Sequence, residues 1–522
     1  MQLEKNALIS VSDKSGLLDF ARNLGDHGYK IYSTGGTAKA LAQAGIAVVN
    51  ISDLTGFPEI MDGRVKTLHP KVFGGILARG GLASHAAEAQ SHAIPLFDVV
   101  VVNLYPFSET VKKPGASFQD AIENIDVGGV TLIRAAAKNQ ERVSVVTSPG
   151  QYSDIQKELA ENDGKISRET RQTLAVTAFL ETSKYDAAIH NFLAEQAGRK
   201  NDAGYLDSFV LPLRKTADLR YGENPHQQAA LYRREDVDVD GVINAEQLHG
   251  KALSFNNIMD GDTALQIAKE FTRPAIAILK HANPCGVAVE NSLADAYENA
   301  LATDRTSAFG GIVGANRKID ADTAKLISKV FTEVIIAPDF SDEALEILTQ
   351  KKNIRLLKTA AFDSGQAREE DFRPVSGGLL VQDRDLGVDD ENTFRIVTER
   401  KPDDAEWRAM LFGWKVVKWV KSNAIVFVGE NRTLGIGAGQ MSRVDAAKIA
   451  VMKAKDAGLD LSGGTVASDA FFPFADGVEA AAAAGAKGVI QPGGSIRDEE
   501  VIAAANRSGV AMAFTGKRHF RH

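Results

Sequence analysis

The chain has 522 residues, 44% of them apolar and 25% charged, the proportions of an ordinary globular protein. These figures exclude a disordered chain, a collagen-like fibre and a small stapled scaffold, and the length predicts about three or four domains. With 60 Lys+Arg against 68 Asp+Glu, the net charge is −8, which excludes a whole-chain basic footprint for nucleic acid but leaves local anion sites open. A single cysteine, Cys285, excludes an intrachain disulfide framework and suits a reducing cytoplasm. Met1–Lys14 enters a strand-like run with no basic n-region and long apolar core, so no leader is expected. The longest apolar runs, such as Val99–Val102 and Ala480–Ala484, fall far short of a membrane span.

In chain order, Ala7–Val11 reads as a buried strand. Ser15–Leu24 follows as a helix, with Leu17, Leu18, Phe20, Ala21 and Leu24 at helical spacing. Lys30–Ser33 is a second strand, then Gly35-Gly36 and a helix through Ala44-Gly45; Ala47–Ile51 and Asp98–Asn103 are further strands. The valines of the last suit a strand covered on both faces. Thr131–Lys138, Arg142–Thr147 and Arg168–Leu193 continue as helix, strand and long helix. This pattern is α/β, an open and mostly parallel sheet wrapped by helices. Polar Gln196–Ser208 reads as a linker ending a domain near residue 200. A second polar zone, Asp383–Thr393, precedes amphipathic Asp404–Lys421 and divides the remainder. Ala275–Val289 and Ala424–Gly439 rhyme weakly, each pairing an apolar strand with glycines and polar residues, which permits two related subdomains.

Several clusters could carry chemistry. Ser33-Thr34-Gly35-Gly36-Thr37 follows a strand and opens a helix, where backbone amides and hydroxyls can bind an anion; the alternative is a capped turn. In Gly63–Pro70, Arg64 and Lys66 are two apart, so an extended backbone would place both on one face with Thr67 nearby; the alternative is a solvated basic loop. Asp126 precedes Gly128-Gly129 at a helix start, with Lys138 two turns beyond Thr131; a lysine can act as acid or base when its pKa is lowered, and a capped helix with a surface lysine is the plainer reading. Lys280-His281 ends an apolar strand before a turn, where His281 could be a general base and Lys280 could stabilise negative charge; the alternative is a strand-end turn whose histidine satisfies backbone groups. Pro284-Cys285 invites comparison with zinc deaminases, but their signature needs a second cysteine and a Glu two residues after the histidine, and both are missing. Arg220–His226, Gly435–Arg443, Ser468–Phe474 and the Arg518-His519-Phe520 tail are further polar or aromatic clusters.

Taken in order, these segments resemble one family along essentially the whole chain. It is the bifunctional purine-biosynthesis enzyme that joins aminoimidazole carboxamide ribonucleotide (AICAR) formyltransferase to inosine monophosphate (IMP) cyclohydrolase. The resemblance is carried by SVSDKSGL, STGGTAKAL, LTGFPEIMDGRVKTLHPKVFGGILAR, VVNLYPF, IDVGGVTLIRAAAKN, LRYGENPHQ, LKHANPCG, SNAIVF, GIGAGQMSR, SDAFFPFADG and RHF. It implies a methylglyoxal-synthase-like cyclohydrolase domain over 1–200. Two cytidine-deaminase-like formyltransferase subdomains, without zinc chemistry, would follow over 201–385 and 386–522. It also implies a homodimer whose formyltransferase sites are completed across the interface, in the cytoplasm, with no nucleic-acid or membrane partner.

By the same resemblance, Ser12, Asp13, Lys14, Ser33, Thr34, Gly35, Gly36, Thr37, Arg64, Lys66, Thr67, Asn103, Leu104, Tyr105, Asp126, Val127 and Gly128 hold the nucleotide of the first site. Lys138 matches the proton donor and acceptor, with Asp126, Lys66 and Tyr105 in supporting catalytic roles. In the second site Lys280 and His281 match the catalytic pair and Asn423 an orienting residue. Arg220, Tyr221, Phe309, Gly310, Glu333, Arg443, Arg518 and Phe520 match AICAR contacts. Val444, Phe471, Asp476, Ser495 and Ile496 match the folate side. At position 333 some members carry Asp where this chain has Glu333. The implied co-substrate is 10-formyltetrahydrofolate; no catalytic metal is expected, and a structural monovalent-cation site stays open. Two rival readings are a nucleotide deaminase and a ligand-sensing protein whose first module resembles the regulatory domain of carbamoyl phosphate synthetase.

Overall fold

The computed structural model describes residues 4–198, 204–235, 237, 241–360, 369–387 and 389–522, in two compact units, Met1–Pro212 and Leu213–His522. Part of the expected linker, 199–203, lies outside the described residues, and the long helix preceding it runs Arg168–Gln196.

The first unit is built on five parallel strands: β1 (Lys5–Val11), β2 (Tyr29–Ser33), β3 (Val48–Asn50), β4 (Val99–Asn103) and β5 (Ser144–Val146). Their order is β3-β2-β1-β4-β5. All four valines of β4 are buried, as a strand covered on both faces requires. Helix Leu17–Asp26 buries Leu17, Phe20, Ala21 and Leu24, the i, i+3, i+4, i+7 stripe of an amphipathic helix. Leu18, expected in the same stripe, turns outward and is 37% exposed, because its position lies about 100° round the helix from Leu17. Ile51, expected at a strand end, opens a short helix. The chain winds one way from β1 through β2 to β3 and the other way through β4 to β5. The switch point therefore lies between the carboxyl ends of β1 and β4, where open α/β sheets gather ligands.

The second unit begins with an antiparallel hairpin, β6 (Leu213–Leu219) and β7 (Ala229–Arg234). A first sheet then takes β8 (Glu246–His249), β9 (Ala275–Lys280), β10 (Asn283–Val289), β11 (Gly311–Ala315), β12 (Thr332–Ala337) and β13 (Arg355–Lys358), in the order β10-β9-β11-β12-β13-β8. After the hairpin of β14 (Glu370–Val375) and β15 (Gly378–Asp383), a second sheet repeats the plan. Its strands are β16 (Arg395–Ile396), β17 (Ile425–Val428), β18 (Thr433–Gly437), β19 (Thr465–Ser468), β20 (Gly488–Gln491) and β21 (Ala511–Phe514), ordered β16-β21-β20-β19-β17-β18.

Read outward from the hairpin, the two sheets have the same pairing senses: antiparallel, antiparallel, parallel, parallel, antiparallel. Helices Phe255–Lys269 and Asp404–Val417 occupy equivalent places before β9 and β17 and share one apolar core with the inner faces of both sheets. Each outer face is covered by its own helices and core. The weak rhyme between Ala275–Val289 and Ala424–Gly439 is therefore a structural duplication of the hairpins β9/β10 and β17/β18. Gly286 and Gly437 show its physical basis. A Cβ on Gly286 would stand 1.9 Å from the Ala300 carbonyl oxygen, and one on Gly437 would stand 1.8 Å from that of Ala446. Neither strand could approach its helix if it carried a side chain there.

Strands β10 and β18 run side by side and join the two sheets. Ala288 bridges Arg432 in antiparallel sense, the Val287 amide donates to Thr433 Oγ1 at 2.9 Å, and the Val289 amide donates to the Asn431 carbonyl at 2.8 Å. An antiparallel seam sets the start of β10 beside the end of β18. The turn after Lys280 is thereby brought toward the segments that flank β17 and β18.

Candidate active sites

The first site lies at the carboxyl ends of β1, β2 and β4. Asn103, the last residue of β4, fastens the segment after β1: its Oδ1 accepts from the Ser12 and Asp13 amides at 2.6 and 2.9 Å, and its Nδ2 donates to the Asp13 carbonyl at 2.9 Å. Lys14 is exposed beside them, and Leu104 packs against the core. The loop after β2 is tied to β1 by its hydroxyls. Ser33 Oγ donates to the Ile9 carbonyl at 2.6 Å, Thr37 Oγ1 donates to the Val11 carbonyl at 3.0 Å, and Thr34 Oγ1 meets Ser10 Oγ at 3.3 Å. Thr37 Oγ1 also accepts from the Val11 amide. These buried hydroxyls hold the loop's shape. The groups left facing outward are amides at the start of helix Gly35–Gln43, whose N-cap Thr34 makes no side-chain cap. The Gly35 amide donates to Glu59 Oε1 at 3.0 Å, so a carboxylate of the chain itself rests where an anion would bind.

Alternation of Arg64 and Lys66 along an extended segment is overturned. Arg64 has helical backbone after a short 3₁₀ turn, Met61–Gly63, and its guanidinium pairs with the Glu123 carboxylate. Lys66 faces Asp126 electrostatically, and Thr67 is buried beside Gly128, 3.2 Å from where a Cβ on that glycine would sit.

Asp126 is the most constrained carboxylate of this site. Its Oδ1 accepts from the Gly129 amide at 2.7 Å, and its own amide donates to Tyr185 Oη at 2.7 Å. A Cβ on Gly129 would lie 2.2 Å from Asp126 Oδ2, so the carboxylate can cap helix Gly128–Lys138 only because that position is glycine. Burial pushes its carboxyl up, the Gly129 amide, Lys66 and the Tyr105 amide pull it back, and the balance stays above the usual carboxylate value. Val127 and Tyr105 stand exposed on either side, at 58% and 42%. Lys138 is exposed in the last turn of the same helix. At about 1.5 Å per residue the helix is ~16 Å long, so the structure does not bring Lys138 to Asp126 within one chain.

The second site centres on the turn after β9. Lys280 Nζ donates to the Phe309 and Gly310 carbonyls at 3.1 and 2.9 Å, and Gly310 takes a φ of +68°. Phe309 is exposed and lies against Phe331, with ring centroids 5.3 Å apart. Glu333 accepts from Asn257 Nδ2 at 3.0 Å, with Arg355 3.8 Å away. Asn283 Oδ1 accepts from the Lys421 amide at 2.9 Å, which links this turn to the second sheet. Lys280, His281 and Asn283 share a cavity of about 250 Å³ with Ile436 and Ala438 of that sheet. Cys285 also lines it, its thiol pushed up to about 12 by burial. Arg220 and Tyr221, in the β6–β7 connection, pair with each other at 3.1 Å. That connection reaches the start of helix Phe255–Lys269 through Asn256 Nδ2 and the Glu223 carbonyl at 3.4 Å.

The remaining candidates come from the segments at one end of strands β17 to β20. Asn423 Nδ2 donates to the Gln440 carbonyl at 2.8 Å. The Arg443 side chain, 8% exposed, donates to Asp469 Oδ1 at 2.6 Å and to the Phe471 carbonyl at 3.2 Å, while among the described residues its Nε finds no partner. Val444 follows Arg443 in the first turn of helix Arg443–Asp456. Asp476 opens helix Asp476–Ala483, and Ser495 and the wholly exposed Ile496 follow β20. These two loops meet where the Arg497 guanidinium lies 4.7 Å from the Phe474 ring centroid. Among the described residues, no three His, Cys, Asp or Glu converge as a metal-binding group.

The tail is docked, and sequence reasoning missed the residues that dock it. The His519 amide donates to the Asp469 carbonyl at 2.9 Å and the Arg521 carbonyl accepts from the Ser422 amide at 2.8 Å. Alternate residues of an extended segment face opposite ways: Arg518 and Phe520 are exposed, with the guanidinium 4.7 Å from the ring centroid, while His519 is buried. His519 Nδ1 meets Asp385 at 2.5 Å and Nε2 meets Asp389 at 2.9 Å. Burial disfavours the imidazolium, but the two carboxylates outweigh it and raise the His519 pKa. Burial likewise opposes ionised Asp389, but hydrogen bonds from His519, Trp414 and Lys517 hold its carboxyl far below the usual range.

The sign of the resulting pH dependence follows from linkage. A raised histidine pKa stabilises the fold fully below the unfolded value, about 6.5, and that contribution fades as pH rises through the folded value. A depressed aspartate contributes above its unfolded value, about 3.9, and loses that contribution as pH falls through the folded one. The melting-temperature gap between the protein and His519→Asn should therefore be widest from about pH 5 to 6.5 and narrow at alkaline pH. A gap that stays constant from pH 6 to 9 would contradict an ionised His519. Neither Asp385 nor Asp389 belongs to a motif; both come from the polar zone before Asp404, and only folding shows their partner.

A family model for the AICARFT/IMPCHase bienzyme matches residues 136–453, and one for an MGS-like domain matches residues 16–131. A solved structure described as "Crystal structure of ForH" is 37% identical, covering 36% of this chain and 97% of its own, with a TM-score of 0.34. The first model alone spans more than half of the sequence, and the MGS-like match covers strands β2, β3 and β4 of the parallel sheet together with Asp126. The chain therefore belongs to the AICARFT/IMPCHase bienzyme family, and it is a bifunctional enzyme of purine synthesis with AICAR formyltransferase and IMP cyclohydrolase activities.

Proposed function

We propose that the second unit transfers the formyl group of 10-formyltetrahydrofolate to the 5-amino group of AICAR, and that the first unit closes the product to IMP. The supporting observation is the pinned ammonium of Lys280. Two of its three N–H bonds are spent on the Phe309 and Gly310 carbonyls, which leaves one donor for an oxygen of the substrate. The AICAR amine is a weak nucleophile because its lone pair conjugates with the imidazole and carboxamide. His281 takes its proton, by way of the neighbouring carboxamide, as the amine attacks the formyl carbon. Lys280 stabilises the tetrahedral oxyanion, and Asn423 orients the amide. Arg443, Arg518, Phe520, Arg220, Tyr221, Phe309, Gly310 and Glu333 hold AICAR; Val444, Phe471, Asp476, Ser495 and Ile496 hold the folate. Collapse of the intermediate breaks the bond to the folate N10, which takes up the proton that His281 removed and leaves as tetrahydrofolate.

In the cyclisation, the carboxamide nitrogen attacks the new formyl carbon and water leaves. The step is intramolecular, so holding one conformer supplies much of the acceleration. The phosphate takes the amides at the start of helix Gly35–Gln43 by displacing Glu59 from the Gly35 amide, with Lys14 beside them. Asp126 and Lys138 move protons, Tyr105 assists, and Lys66 polarises oxygen. Because Asp126 and Lys138 stand at opposite ends of one helix, their joint action calls for a second copy of the chain, in line with a homodimer. A mass measurement in solution tests that state. We place the enzyme in the cytoplasm; no helix of the described residues is long and apolar enough to cross a membrane.

Purified protein supplied with AICAR and 10-formyltetrahydrofolate should yield tetrahydrofolate and IMP, followed by absorbance. Release of ammonia would favour a deaminase, and no turnover by the folded protein would favour a ligand sensor.

A further inference from the structure

His281 and Ala282 form the two-residue turn between β9 and β10, with φ of +53° and +56°. Two left-handed residues in succession make a mirror-image hairpin turn, a geometry that selects Asn-Gly or Gly-Gly. Alanine has neither glycine's freedom nor a polar side chain to compensate. A doubly left-handed His-Ala turn therefore has to be held from outside.

The holding group is Asp260, on helix Phe255–Lys269. Its Oδ1 accepts from the Ala282 amide at 2.6 Å, and the His281 amide contributes to the favourable electrostatics around the carboxylate. Three residues earlier on the same helix, Asn257 reaches Glu333 and closes the capping box with Ser254. One helix face thus supports two parts of the site. Burial pushes the Asp260 carboxyl up, while the turn amides and the nearby Lys280 draw it back.

We propose that Asp260 is the positioning residue of formyl transfer: its carboxylate grips the Ala282 amide of the turn, holds His281 and Ala282 left-handed, and thereby aims the His281 imidazole at the substrate amine. The proposal rests on His281 and Lys280 acting in that transfer. Asp260 touches no substrate; it acts through the backbone. A misaimed catalytic group loses rate more than binding, and a shift of about 1 Å can cost ~10²-fold.

The test uses the full chain, with AICAR and 10-formyltetrahydrofolate for transfer and formyl-AICAR for cyclisation. Asp260→Ala should lower the transfer kcat by about 10²-fold, with KM for AICAR changed less than about threefold and cyclisation unaltered. Asp260→Asn keeps one acceptor oxygen and should fall between. Adding Ala282→Gly to Asp260→Ala makes the left-handed turn inexpensive and should restore kcat by about tenfold or more. An undiminished kcat in Asp260→Ala overturns the proposal, as does a loss that Ala282→Gly leaves unrepaired. His281→Asn in the same series separates the two levels. If it retains transfer, the role of His281 fails; if it loses transfer while Asp260→Ala does not, only the Asp260 proposal fails.

Discussion

Replacing His281 is expected to abolish formyl transfer, by ~10²–10⁴-fold in kcat, while cyclisation of formyl-AICAR proceeds at the original rate. The separation follows from placement. His281 is an exposed turn residue of the second unit, whereas Asp126 and the loop after β2 belong to the first. The choice of substituent matters, because histidine, asparagine and aspartate are enriched in left-handed backbone and alanine is not. His281→Asn removes the base and keeps the turn; His281→Ala removes the base and strains it. Both should lose transfer, and the pair of melting temperatures shows how much of the alanine effect is strain. Equal loss of both activities would remove His281 from its assigned role.

Lys138→Ala should produce the complementary result, with cyclisation lowered ~10²–10⁴-fold and transfer intact. Lys138 is exposed at a helix C-terminus, where a cation contributes only about 0.3–1 kcal/mol through the helix dipole. The fold should therefore survive, and a loss of rate can be read as chemistry. Lys138→Arg keeps the charge but cannot give up its proton. If proton transfer is the role, the arginine variant stays slow; if it is fully active, Lys138 contributes charge alone. A fully active Lys138→Ala would contradict either role.

Much of the first unit is legible in the sequence because its signals are local. The valine run of β4, the apolar stripe of helix Leu17–Asp26 and the glycines after β2 are each dictated by burial or backbone geometry over a few residues. The misreadings arise where a partner distant in sequence intervenes. Arg64 left the expected alternation for a turn and a pair with Glu123, and the hydroxyls of Ser33 and Thr37 turned to the backbone of β1.

By itself the sequence determined the α/β class, the strand–helix order of the first unit, the inventory of candidate residues and, through the family motifs, the chemistry. One cysteine sufficed to remove zinc deamination despite Pro284-Cys285. The tertiary structure alone decided that the two sheets of the second unit are joined along β10 and β18, because strand pairing between residues about 145 apart leaves no local pattern. It alone decided that Asp260 grips the turn bearing His281, that Asp469 holds Arg443, and that Asp385 and Asp389 hold His519. A carboxylate reads the same in sequence whether it is solvated or gripping a backbone amide. What distinguishes the two is the donor it meets after folding, and that donor here lies from 22 to 134 residues away.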